Sequence, residues 1–156
     1  MMRLLKIFVL FGCLNLLLVS GVYAADDSVD QTVDQILEQT REILTQFMPW
    51  SEQEKALFWP AYNDYEKNVR GLVSEMLILI RKYYRESDTL SDEEAKTFGE
   101  KFLNAGIEKA NLWRSFVMGL FEILPPRKVS KLIEVERQIE IGFNLKILYE
   151  AYRPPE

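Results

Sequence analysis

Four long segments of this chain carry apolar residues at steps of three and four, and this spacing limits the possible fold more than any other feature. The spacing places apolar side chains on one face of an α-helix, whereas a half-buried strand requires strict alternation. No alternating stretch of useful length occurs. The segments cover about residues 28–47, 52–85, 92–123 and 127–151. The sequence therefore predicts an all-α fold of four helices.

Prolines mark the ends of these segments. Pro49 ends the first helix, because a residue that precedes proline is pushed out of helical geometry. Pro125 ends the third helix, and Pro126 suits the first turn of the fourth. Pro60 lies inside the second helix, where it removes one backbone hydrogen bond and clashes with the preceding turn. We therefore expect the long second helix to be kinked near Pro60.

Two helix starts carry the S-x-x-E form of a capping box. Ser51 precedes Glu54 by three residues, and Ser91 precedes Glu94 in the same way. In this motif the serine hydroxyl and the glutamate carboxylate each bond a free backbone N–H of the first turn. The motif predicts that the second and third helices begin directly after these serines.

The short connections predict consecutive antiparallel hairpins. A turn near residue 88 then places the cluster around Phe58 against Trp113, Phe116 and Leu120. Together with a turn near residue 125, it places the run 76–80 against Phe98, Phe102 and Leu148. This second turn near residue 125 sets Phe116 opposite Ile133 and Phe102 near Ile147. The spacing leaves open whether the hairpins close into a compact bundle or form an open, curved layer.

Residues 1–24 have the pattern of a secretory signal peptide. Arg3 and Lys6 precede an apolar run over 7–19, and a small-x-small-like cleavage site ends at Ala24. The run is short for a membrane span. We expect export to the periplasm and cleavage after Ala24, which leaves residues 25–156 as a single helical domain. An uncleaved anchor or a lipoprotein modified at Cys13 is the alternative.

Composition argues against nucleic-acid binding and against most enzymatic chemistry. Cleavage would remove two of the 19 basic residues and none of the 24 acidic ones, which changes the formal net charge from −5 to −7. Nucleic-acid binding depends on basic side chains that neutralise phosphates. The chain has no histidine, and its only cysteine lies in the predicted signal peptide. We therefore expect a protein that is not an enzyme and needs no metal or other cofactor.

Two charged groups have structural interpretations that compete with functional ones. Glu136 and Glu140 share a helix face and could act as an acid–base pair, but a solvated helix face is the preferred interpretation. The basic and aromatic residues over 81–85 could contact phosphates or anionic lipid. A helix C-terminus also favours cations because of the helix dipole.

Aromatic residues are numerous, and some of them are candidates for a partner-binding surface. The chain contains three tryptophans, seven tyrosines and nine phenylalanines. Most should lie in the core, although large exposed apolar areas mark partner sites. The run 76–80 is apolar on every side of its helix, so it is either enclosed or an oligomer interface. The candidate binding residues are Phe58, Trp59, Tyr62, Tyr65, Met76, Leu77 and Trp113.

Several of these features resemble the Spy/CpxP-like periplasmic proteins, whose helix starts follow a Leu-Thr-x-x-Gln motif. The matching starts are 50–54, 90–94 and, most distantly, 124–128. Serine replaces threonine in the first two, and glutamate replaces the final glutamine. The segment 58–66 is similar to an FWP-x-Y-x-x-Y-E signature in relatives labelled as sensors for extracytoplasmic sigma factors. Metal-sensing members rely on histidine, which this chain lacks.

The resemblance and the aromatic residues together predict a binding protein of the envelope-stress type. It would engage unfolded envelope proteins, or a membrane signalling protein, through apolar and aromatic side chains, without ATP. The alternative is a structural or regulatory subunit in which 76–80 forms the interface of a homodimer or hetero-oligomer.

Overall fold

The computed structural model describes the backbone of residues 27–152 and the side chains of residues 29–145. It contains four α-helices: α1 (Asp27–Phe47), α2 (Glu52–Glu86), α3 (Asp92–Ile123) and α4 (Pro126–Tyr152). Residues 27–152 contain no strand. The all-α prediction is confirmed, and every helix boundary lies within one residue of its predicted position.

The predicted signal peptide and its cleavage site lie outside the described residues. No helix within residues 27–152 is both long and apolar enough to cross a membrane.

Both predicted capping boxes are formed. Ser51 accepts a hydrogen bond from the backbone N–H of Glu54, and the Glu54 carboxylate accepts one from the backbone N–H of Ser51 at 2.7 Å. Ser91 and Glu94 make the same reciprocal pair, with the corresponding bond at 2.9 Å. These bonds to the backbone are the main reason that the pKa of each glutamate is lowered. The caps therefore fix where α2 and α3 begin.

Helix α2 continues through Pro60 without interruption. Proline leaves the carbonyl of Ala56 without its usual helical donor. Because Ala56 and Pro60 are both exposed, water can solvate that carbonyl. The bend that we expect at Pro60 stays a prediction.

The four helices close into a bundle. Helix α2 packs along α3, α3 contacts α4, and α1 contacts both α2 and α4. An open layer would leave α1 and α4 apart. Their contact shows that the helices form a closed bundle and not an open, curved layer. Lys109 of α3 pairs with Glu140 of α4 at 3.1 Å. In antiparallel helices this pair has the same offset as the predicted Phe116–Ile133 pair, which supports the predicted register of α3 against α4. The side chains of Ile147 and Leu148 lie outside the described ones.

The tightest packing lies near one end of the bundle. We call it the joint end, because α1 joins α2 and α3 joins α4 there, through residues 48–51 and 124–125. Of the most completely buried large side chains, all except Val33 lie within a few turns of this end: Phe58, Leu44, Leu120, Leu132 and Val129. The opposite end, with the α2–α3 connection at 87–91, is called the turn end. Apolar side chains there are less completely covered.

Candidate functional site

The aromatic residues of α2 form a stacked cluster in the core of the bundle. Phe58 is 0% exposed and stacks on Trp50, with ring centroids 4.3 Å apart. Tyr65 stacks on Phe116 of α3 at 4.8 Å and meets the edge of Trp113 at 5.6 Å. The predicted contact between this part of α2 and α3 is therefore present. Such offset and edge-on contacts stabilise aromatic pairs beyond the burial of their area.

The structure separates the predicted binding residues into three groups. Phe58, Tyr62 and Tyr65 are buried, so in this closed bundle they pack and offer a partner almost no surface. Trp59 and Trp113 are half-buried at the edge of the same cluster. The remaining two residues, Met76 and Leu77, are half-buried farther toward the turn end and outside that cluster. No single surface therefore contains all seven predicted residues, and a binding role for them stays a prediction.

The run 76–80 is only partly enclosed. Ile78 is exposed, and the other four residues are half-buried. We expected Phe98 to meet this run. Phe98 stacks on Tyr83, with centroids 4.7 Å apart, about one helical turn beyond the run along α2, and its contact with the run itself stays a prediction. The α2–α3 register is therefore shifted by less than two turns from the predicted one.

Arg41 connects α1 to the edge of the aromatic cluster. Its guanidinium lies 5.1 Å from the ring centroid of Trp59 and 5.5 Å from that of Tyr62. The same group pairs with the Glu66 carboxylate at 2.5 Å and donates to the Asn63 side chain at 2.9 Å. Arginine suits this place because its planar group stacks on rings while its N–H groups bind carboxylates.

Lys128 ties the two connections of the joint end together. Its ammonium group pairs with Glu54 at 3.1 Å, donates to the backbone carbonyl of Pro49 and lies 5.7 Å from the ring centroid of Trp50. The side chains of this ion pair are only 18% and 16% exposed, for Lys128 and Glu54 respectively. Because Glu54 also belongs to the α2 capping box, one lysine of α4 fixes the start of α2.

We expect Lys128→Met to lower the free energy of unfolding by about 1–2 kcal/mol, because it removes charge-assisted hydrogen bonds in a partly desolvated place. Lys131→Met is the matched control. Lys131 pairs with Glu134 on the exposed face of the same helix, and such pairs contribute about 0.5 kcal/mol or less. Urea unfolding followed by circular dichroism measures both. Equal effects of the two variants would contradict the role of Lys128.

Glu136 of α4 is the polar residue that the sequence interpretation placed wrongly. The side chain is half-buried and does not lie on a fully solvated face: the atom Oε2 is buried, and no described residue donates a hydrogen bond to it. Burial raises the pKa of this carboxyl to about 7; Lys109 opposes the shift and Glu140 adds to it. Glu140, by contrast, is exposed and pairs with Lys109.

The spacing on α4 contained the information that locates Glu136. Leu132, Val135 and Ile139 are buried, and position 136 falls between them on the same stripe of the helix. A residue one turn from two core positions faces the core as well. Polarity alone led to the exposed assignment. The spacing on α4 could not show that the ammonium group of Lys109, on the preceding helix α3, lies near Glu136.

The hydroxyl groups of Tyr62 and Tyr65 on α2 interact electrostatically with the Glu136 carboxylate. Burial is the main cause that raises the pKa of Tyr62 and of Tyr65, and the negative charge of Glu136 is the second cause in both. Three helices therefore contribute ionisable groups to one region: Tyr62 and Tyr65 from α2, Lys109 from α3 and Glu136 from α4. Among residues 29–145, no group of three or more potential metal ligands lies together.

The turn-end half of the bundle carries exposed aliphatic side chains on its outer faces. Leu103 and Ile107, four residues apart on α3, are 66% and 60% exposed. Ile141 and Leu145 have the same spacing on α4 and are also exposed. The Lys109–Glu140 pair places both sets within about two turns of each other along the bundle axis. We call these four residues the turn-end apolar set.

Comparisons with known proteins leave the chain without a match: no family model, no curated protein and no solved structure is similar to it. The resemblance to the Spy/CpxP-like proteins therefore stays a prediction from sequence motifs.

Proposed function

We propose that this chain is a periplasmic, non-enzymatic binding protein of the envelope-stress type. It binds apolar segments of unfolded envelope proteins, or of a membrane signalling protein, without ATP or a cofactor. The observation that carries the proposal is the exposure of the turn-end apolar set, because several exposed apolar side chains in one part of a surface can mark a partner site. The net negative charge of the chain supports solubility while these side chains are exposed.

The position of the turn-end apolar set also supports the proposal. The joint end is closed by a packed core and by Lys128, so binding at the turn end leaves the most stable part of the bundle intact. Exposed leucine and isoleucine side chains recognise apolar surface without sequence specificity, which suits an unfolded partner. Charged residues around them limit non-specific self-association.

A test of the binding surface is the double variant Leu103→Ser with Ile107→Ser. We expect the wild type to suppress aggregation of a chemically denatured client, and the double variant to lose most of this suppression because it removes two exposed anchors. Light scattering of the client at several ratios of protein to client measures the effect. No suppression by the wild type at excess would refute the chaperone form of the proposal.

Leu57→Ser is the matched control for that experiment. Leu57 is 46% exposed and also lies on a helix, but it is near the joint end. The control removes one exposed apolar side chain near the joint end and leaves the turn-end apolar set unchanged, so we expect it to suppress aggregation like the wild type. Equal losses in the control and the double variant would show that the turn end has no special role.

The second candidate is a regulatory or structural subunit with an oligomer interface at 76–80. The exposure of Ile78 favours it, since a helix that is apolar all round needs a partner on its open side. Light scattering over a concentration series decides between the candidates. A dimer that Ile78→Glu converts to a monomer supports the interface, whereas a wild-type monomer at all concentrations excludes the homodimer.

A further inference from the structure

Glu136 holds an unpaired carboxylate oxygen at the contact between three helices. It lies one helical turn from Leu132, and its neighbours Val135 and Ile139 are buried. Its Oε2 atom is buried without a hydrogen-bond donor among the described residues. A buried charge without a partner is unfavourable, whereas the protonated carboxyl is neutral and fits an apolar contact more easily.

The charged groups around Glu136 compensate an ionised carboxylate only in part. Lys109 faces it from α3, but its ammonium group already pairs with Glu140 of α4, at 3.1 Å. From α2, the hydroxyl groups of Tyr62 and Tyr65 contribute no positive charge. From α1, the Arg41 guanidinium lies over the ring of Tyr62 and pairs with Glu66 instead.

The place of Glu136 along α4 determines which part of the helix depends on it. Toward the joint end, α4 is held by Val129 and Leu132, which are fully buried. Beyond Glu136, Ile139 is the last fully covered core residue among the described side chains, and Ile141 and Leu145 face outward. Weakening the contact at 136 therefore loosens the turn-end part of α4 before the rest.

We propose that Glu136 is a proton-controlled switch for the packing of α4. When its carboxyl is protonated, α4 packs fully against its neighbours α1 and α3. When it is ionised, the turn-end part of α4 separates from them and uncovers apolar side chains beside the turn-end apolar set. This inference deepens the proposed function, on which its role in partner binding rests: alkaline conditions would increase the surface that a client can reach.

Amide hydrogen exchange of residues 137–145 tests the switch without a client. The pKa of the Glu136 carboxyl is about 7 in the closed state and about 4.5, its ordinary value, in the open state. Opening of the turn-end part of α4 therefore becomes more favourable as the pH rises. After correction for intrinsic rates, protection of the wild type should fall by on the order of 30-fold between about pH 5.5 and about pH 8.5.

Two matched variants show whether the effect belongs to Glu136. In Glu136→Gln the protection should stay high at every pH. Glu134→Gln removes an exposed carboxylate from the same helix, which pairs with Lys131, and should behave like the wild type. Protection of the wild type that is independent of pH, or a Glu134→Gln variant that also loses the transition, would overturn the proposal.

Shifts of the midpoint separate a titrating group from a merely structural one. Lys109→Met removes a cation that favours the ionised form of Glu136, so the transition should move to higher pH. Glu140→Gln removes a repelling charge, so the transition should move to lower pH. These opposite shifts remain measurable even if Glu136→Gln fails to fold. Shifts in the same direction, or none, would contradict the switch.

A client assay at about pH 6 and about pH 8 distinguishes the switch from the function on which its role rests. Suppression of aggregation that rises with pH in the wild type and stays low in Glu136→Gln supports both. A pH-dependent loss of amide protection with no suppression at either pH supports the switch and refutes the chaperone function. Suppression that is equal at both pH values supports the function and overturns the role of the switch in it.

Discussion

Phe58→Ala should lower the free energy of unfolding by about 3–5 kcal/mol, the largest effect that we expect from a single substitution in this chain. Phe58 is 0% exposed and touches aromatic rings of Trp50, Trp59 and Phe116. Its removal would leave a cavity that these rings, fixed by their own contacts, cannot fill. Urea unfolding, followed by circular dichroism, measures the loss.

Leu57→Ala is the control for this substitution, one residue earlier on the same helix. Because Leu57 is exposed, we expect its replacement to change stability by about 0.5 kcal/mol or less. A loss below about 1 kcal/mol for Phe58→Ala would show that the aromatic cluster is not the packed core. The comparison also tests the helix register, since a rotation of α2 by one residue would exchange the two results.

The second large effect concerns pH. The pKa of Glu136 is about 7 in the folded chain and near 4.5 without the fold. Folding therefore disfavours the ionised form, and stability falls as pH rises from about 4.5 to about 7, with no further loss above that. Each pKa unit corresponds to about 1.4 kcal/mol, so the loss approaches about 3 kcal/mol.

Glu136→Gln isolates this contribution. Below about pH 4.5 the variant should equal the wild type in stability, and at about pH 8 it should be more stable by up to about 3 kcal/mol. Glu54 and Glu94 have lowered pKa values, so they add stability that is lost as pH falls. Both proteins share this opposite effect, and it cancels in their difference. A difference that does not depend on pH would contradict the burial of Glu136.

Local rules were sufficient to predict the helices. Apolar spacing, two serine caps and the prolines between segments act within a few residues, and the observed boundaries follow them closely. The offset between α3 and α4 was also predictable, because a short connection at 124–125 leaves little freedom. The α2–α3 offset was less accurate, since the contact between Tyr83 and Phe98 depends on how both helices rotate.

The candidate site was harder to predict, because exposure depends on helices that are distant in sequence. The sequence showed that aromatic residues of α2 would meet Trp113 and Phe116, but it did not show that α1 covers them through Arg41. It also gave no reason to select Leu103 and Ile107, whose exposure depends on the rotation of α3. Glu136 was misplaced for the same reason: its neighbours in space come from three helices.

The most direct test of the central claim is hydrogen exchange with and without a denatured client, at about pH 8. The claim is that the aromatic residues of α2 form the core and that a client binds the turn end. We predict slow exchange of residues 58–65 in the free protein, unchanged by the client, and new protection within 100–110 and 138–145. Fast exchange of 58–65 in the free protein, or client-induced protection confined to that segment, would contradict the claim.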